Sequence, residues 1–143
     1  MELSNLVTQE NSEEGKWFPV FLYGKKQNFA LKIIGADSDE VVEFQRNLLK
    51  KVKGKGGDFD NLDEEDIDDL FETKEDMVVS RIKGISVIKW KHGDFEFVRD
   101  EKVTLNGDVI ENNKKSYTKL LELIPALSKF VLDKSNERVN FLD

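Results

Sequence analysis

The alternation of apolar and polar positions divides the chain into β-prone and helix-prone stretches. Two short β-prone runs come first, "KWFPVFLYG" and "QNFALKIIG", with Gly24 and the neighbouring lysines supplying a turn, so the pattern predicts a hairpin. Pro19 lacks a ladder donor, which puts the first run at a sheet edge or its first residues outside the pairing. In "GADSDEVVEFQRNLLKKVKGKGG" the period changes to 3.6. Val41, Phe44, Leu48 and Val52 share one helical face, Asp37 and Glu40 read as a capping box, and Lys50, Lys51 and Lys53 suit the C-terminal end of the dipole. A second helix is predicted from about Asp63 to Ile82, with a stripe through Ile67, Leu70, Phe71, Val78 and Ile82 interrupted once at Lys74, and Gly84 as its C-cap.

A β region follows. "ISVIKW" is rich in β-branched residues, "DFEFV" alternates, and "VTLNGDVI" places Asn-Gly between two apolar triplets, the strongest hairpin signal in the chain. The last stretch, "SYTKLLELIPALSKFVLDKSNERVNFLD", is helical but contains Pro125. Proline fits the first turn of a helix and breaks its interior, so two helices with a break near Ile124 are expected. The fold class is therefore α+β: a small antiparallel β-sheet built of hairpins, with three to four packed helices including a C-terminal helix pair. Residues 1–16 read as a mobile lead-in and 17–143 as a single domain. At the other end, Phe141 and Leu142 sit unusually close to the terminus. Two readings stand side by side there: an end that docks back on the core, or an apolar hook for another protein.

Composition narrows the function classes. Hydrophobic residues make up 38% and charged residues 36%, and the ten Phe and two Trp argue against a wholly disordered chain. A net charge of −7 has the wrong sign for wrapping nucleic acid by phosphate neutralisation. With no cysteine, disulfides, thiolate catalysis and Cys-based zinc sites are excluded. No apolar run approaches the roughly 20 residues that span a bilayer. A soluble intracellular protein is the expectation, with no membrane and no nucleic-acid partner.

Candidate chemistry is sparse. His92 is the lone histidine and reads as an exposed turn residue, since a metal site needs partners that the chain supplies only as carboxylates. "GKGGD" lacks the spacing of a phosphate loop and follows a helix, where such loops follow a strand. In "DFDNLDEEDIDD" the sixth position is Asp63, where a calcium loop needs glycine, so a solvated acidic face is the simpler reading. Trp17 and Trp90 read as core or half-buried sheet residues. Nothing demands an enzyme or a cofactor.

The order of the pieces is more informative than any one of them. "GADSDEVVEFQRNLLKK", "VVSRIKGISVIKW" and the C-terminal stretch with its closing Arg138, Asn140, Phe141 and Leu142 together resemble the tail assembly chaperones of long-tailed bacteriophages. The chain departs from that pattern at "KH" before Gly93 and at "ENNKKSYT", which has no proline. The resemblance implies a non-enzymatic helper in the host bacterial cytoplasm, absent from the mature virion. It would hold the tape measure protein, and in some cases tail tube protein, soluble during tail morphogenesis, with homo-oligomer contacts as a further option. Interaction residues implied by the resemblance and the apolar faces are Phe44, Leu48, Phe130, Arg138, Asn140, Phe141 and Leu142. An acidic surface would favour basic client helices. Two rivals are carried with it: a structural tail or connector protein of the virion, and an acidic inhibitor that mimics nucleic acid.

Overall fold

Three two-residue turns set the strand layout. Tyr23-Gly24, His92-Gly93 and Asn106-Gly107 all carry positive φ at both positions, 56° and 73°, 53° and 83°, and 52° and 87°. That pairing defines the type I′ turn, whose twist matches antiparallel strands. The computed structural model describes residues 9–54 and 75–142. Around the turns run β1 (Lys16–Leu22), β2 (Lys25–Ile33), β3 (Ile82–Lys91) and β4 (Asp94–Val98), forming one antiparallel sheet in the order β1-β2-β3-β4. The Asn-Gly hairpin, β5 (Thr104–Leu105) and β6 (Asp108–Val109), is a separate two-stranded unit. The fold is α+β.

Pro19 lies in β1, an edge strand, and the β1–β2 register shifts just beyond it, between Pro19 and Phe21. The turn of this hairpin is Tyr23-Gly24, so Lys25 and Lys26 already belong to β2.

The helices are α1 (Gln9–Glu14), α2 (Asp39–Gly54), α3 (residues 75–79), α4 (Lys114–Leu123) and α5 (Ala126–Asn136), followed by a 3-10 turn, Arg138–Phe141. The break between α4 and α5 falls at Ile124–Pro125, as the proline requires. Asn113 caps α4 by accepting from the Ser116 amide at 2.8 Å.

Four expectations are corrected. The lead-in does not extend to residue 16. Residues 9–14 are helical, Ser12 is 1% exposed, and the Ser12 carbonyl accepts from the Gly35 amide at 2.9 Å; the expectation for 1–8 lies outside the described residues. Ser38, not Asp37, caps α2: its amide donates to the Gly35 carbonyl, and its hydroxyl accepts from the Val41 amide at 3.4 Å. Glu40 leaves the capping box to pair with Lys83 at 2.8 Å. Finally, the helix before β3 stops at 79, Ile82 opens the strand, and Gly84 lies inside β3 rather than capping a helix. A Cβ at Gly84 would lie 2.8 Å from Cη2 of Trp17, so a bare backbone is what lets the indole lie across β3. The predicted helix before residue 75, the acidic run and the "GKGGD" loop lie outside the described residues.

One face of the sheet packs on the helices. Val20, Leu22, Leu31 and Ile33 meet Leu120, Leu121, Leu127 and Val131 in a single core cluster that also takes in Val78, Val79 and Tyr117. Phe141 is 1% exposed and meets the ring of Phe18 edge to face, with centroids 5.9 Å apart. The C-terminal turn is therefore a structural cap on β1 and α1.

Candidate protein-docking face

Strand alternation assigns β1, β2, β3 and β4 a second face, turned away from the helices. Trp17, Pro19 and Phe21 point there from β1, Gly84, Ser86, Ile88 and Trp90 from β3, and Phe95 and Phe97 from β4, as the cross-strand pairs Ile88↔Phe97 and Trp90↔Phe95 require. Five rings form an edge-to-face chain on this surface. Trp17 meets Phe97 at 5.1 Å, Phe97 meets Phe95 at 5.6 Å, Phe95 meets Trp90 at 6.3 Å, and Trp90 meets Phe21 at 5.4 Å. Such contacts add about 0.5–1.5 kcal/mol per pair beyond area burial. Beneath the rings, Ala30 is fully buried and Ile88 is 2% exposed, although both lie on the face opposite the helical core.

The layer remains partly open above: Phe21 is 45% and Phe97 39% exposed. The Trp90 indole N–H donates to the Gln27 carbonyl at 2.9 Å, which fixes its ring, and Nζ of Lys26 lies 4.6 Å from the ring centroid. The surface is thus aromatic and partly exposed, the composition enriched at protein–protein hot spots.

The residues expected from sequence fall elsewhere. Phe141 is inside the fold, so it presents no surface to a partner. Leu142 is half-buried, and its carbonyl accepts from Nζ of Lys16 at 2.9 Å. Asn140 donates to the Lys134 carbonyl at 3.0 Å, and Asn11 donates to the carbonyl of Phe141 at 2.8 Å. Arg138 is exposed and its Nε sits 3.0 and 3.1 Å from the two carboxylate oxygens of Asp37. Arg138, Phe141 and Leu142 therefore close this segment onto α1, β1 and the start of α2, while Val139 between them is exposed. Phe130 is half-buried, with Nζ of Lys134 5.7 Å from its ring. Leu48 is half-buried on α2. Phe44 lines a hollow of about 430 Å³ bounded by Val79, Ile82, Lys83, Asn113 and Tyr117.

Tyr117 in that hollow is 2% exposed, its hydroxyl donates to Oδ1 of Asn112, and burial raises its pKa to about 12. The unfolded phenol ionises near pH 10, so the native preference for the neutral form is fully present below that pH and is lost as pH rises towards 12. Two pH units correspond to about 2–3 kcal/mol. Urea midpoints at pH 9.5 and 11.5 are expected to fall more steeply for the wild type than for Tyr117→Phe.

Among the described residues no group of three or more His, Cys, Asp or Glu is placed to hold a metal ion, and no helix is long and apolar enough to cross a membrane. His92 is exposed in its turn. Charge is unevenly spread in the sequence: residues 55–74 contain nine acids and two lysines, which is the whole of the net −7, and the remainder of the chain is balanced. No family model, curated protein or solved structure matches this chain.

Proposed function

We propose that the chain is a non-enzymatic assembly chaperone that covers apolar surface on a client protein through the outer face of its sheet. The observation that carries this reading is the five-ring layer with Phe21 and Phe97 left open on a sheet whose other face already has its core. An antiparallel sheet needs only one apolar face to fold, so a second one that stays exposed is surface held for a partner. The C-terminal pattern resembling phage tail assembly chaperones, "SYTKLLELIPALSKFVLDKSNERVNFL", supplies the client: the tape measure protein, whose long amphipathic helices need reversible cover in the host cytoplasm until tail tube protein polymerises around them. Several such contacts along one client give avidity while each stays displaceable.

Co-expression with tape measure protein tests the reading. The expected result is soluble client that co-purifies with this chain, together with absence of the chain from purified virions. Retention in virions at fixed stoichiometry would instead make it a structural tail or connector protein.

A further inference from the structure

The docking face carries its own charge signature, opposite to that of the whole chain. Lys32 pairs across the ladder with Trp17, and Lys26 pairs with Phe21. Lys26 reaches over Trp90, and Lys32 packs beside Trp17 at Gly84. Asp94 and Glu96 alternate with Phe95 and Phe97 and so point to the other side, which leaves no carboxylate at an outward position of the four strands. The face is aromatic with a cationic side, while the net negative charge belongs to residues 55–74.

Building on the docking reading above, we infer that this face takes an amphipathic client helix whose apolar stripe is bordered by carboxylates, not by lysines. Lys26 and Lys32 stand beside the rings, where a Glu flanking the stripe meets them as the apolar side chains reach Phe21 and Phe97. Partly desolvated charge pairs of this kind set orientation and partner choice. A strand of seven to ten residues, like β1 or β3, offers about 23–33 Å of track, which matches a helix of about 18 residues. A second copy of the chain fits poorly, because its identical face brings lysines and no strand carboxylate to meet Lys26 and Lys32. Single-stranded nucleic acid fits poorly too. The rings already meet one another edge to face, Lys26 occupies one side of Trp90, and two lysines neutralise few phosphates.

The chain reports on its own occupancy, because Trp17 and Trp90, its only tryptophans, are both in this layer. Three tryptophan-free synthetic helices with one shared Leu/Phe stripe, flanked by Glu, Gln or Lys, are titrated against the full chain by intrinsic fluorescence, beside an oligothymidylate. The Glu-flanked helix is expected to bind about tenfold more tightly than the Lys-flanked one at low salt, with the gap closing as salt rises. Lys26→Gln with Lys32→Gln is expected to abolish the preference, and Lys26→Glu with Lys32→Glu to reverse it, with thermal unfolding confirming that both variants fold. Equal binding of all three helices would overturn the charge inference and leave the docking reading standing. Tighter binding of the Lys-flanked helix would do the same, whereas binding of oligothymidylate alone, or of no probe, would remove both.

Discussion

Phe141→Ala is expected to lower the unfolding free energy by about 3–5 kcal/mol, a large share of what a domain of this size possesses. The ring is 1% exposed and lies against Phe18 in β1. It also bounds the space at Gly35, where a Cβ would lie 3.1 Å from Cδ2 of Phe141 and 2.3 Å from Oγ of Ser12. Three segments distant in sequence, α1, the end of β2 and the C-terminal turn, are thus locked by one side chain. Removing it leaves a cavity where they meet, and the hydrogen bonds from Asn11 to the Phe141 carbonyl and from Lys16 to the Leu142 carbonyl lose their fixed geometry. A urea midpoint within error of wild type, with client binding lost, would return the chain end to the role of a hook.

The second large effect concerns Arg81. It is 1% exposed, and its Nη1 donates to Oγ of Ser135 at 3.2 Å and Oδ1 of Asn136 at 2.7 Å, while Nε has no partner. Burial lowers its pKa, and no carboxylate within ion-pair distance among the described residues offsets that cost. Arg81→Ala removes a large buried side chain at the junction of α3, β3 and α5, with an expected loss of about 2–5 kcal/mol. Arg81→Met restores most of the volume without the uncompensated charge. The Ser135 hydroxyl keeps its 2.7 Å bond to the Ile34 carbonyl, and Asn136 is exposed enough to turn to water. Met is therefore expected to come within about 1 kcal/mol of wild type or to exceed it, since apolar replacement of buried charge is often neutral or stabilising. If Met is as damaging as Ala in urea titrations, the guanidinium's hydrogen bonds outweigh its desolvation.

The elements most legible in the sequence are those whose signal is local. Asn106-Gly107 fixed a turn through its backbone preferences, Pro125 split a helix through its missing donor, and Pro19 marked an edge strand. Boundaries that depend on tertiary partners were not legible. The α2 cap moved to Ser38 because the Gly35 carbonyl takes the Ser38 amide, and Gly84 belongs to a strand because Trp17 needs the room. Helix α1 is short and polar, and its contacts with Gly35 and the chain end help to order it.

The docking face is only half legible for a related reason. "KWFPVFL" is apolar in both parities: Phe18, Val20 and Leu22 face the helices, while Trp17, Pro19 and Phe21 face outward. A continuous apolar run in an antiparallel hairpin signals two greasy faces, and that signal was present in the sequence. Phe95 and Phe97 in "DFEFV" gave the other half of the layer, but only the register against β3 shows that they adjoin Trp90. At the C-terminal motif, by contrast, Phe141 is buried against Phe18 and Asn140 bonds the Lys134 carbonyl, contacts within the fold that the motif alone does not display.

The most direct test of the central claim is light scattering from tape measure protein diluted out of denaturant, with this chain present in molar excess. The account predicts that wild-type protein suppresses aggregation and that Phe21→Ser with Phe97→Ser, two changes on the open face that leave the helical core untouched, removes the suppression while the variant still unfolds cooperatively, at a midpoint lowered by the loss of three of the four ring contacts. Full suppression by that folded double variant would contradict it, because the client would then be held somewhere other than the aromatic face of the sheet.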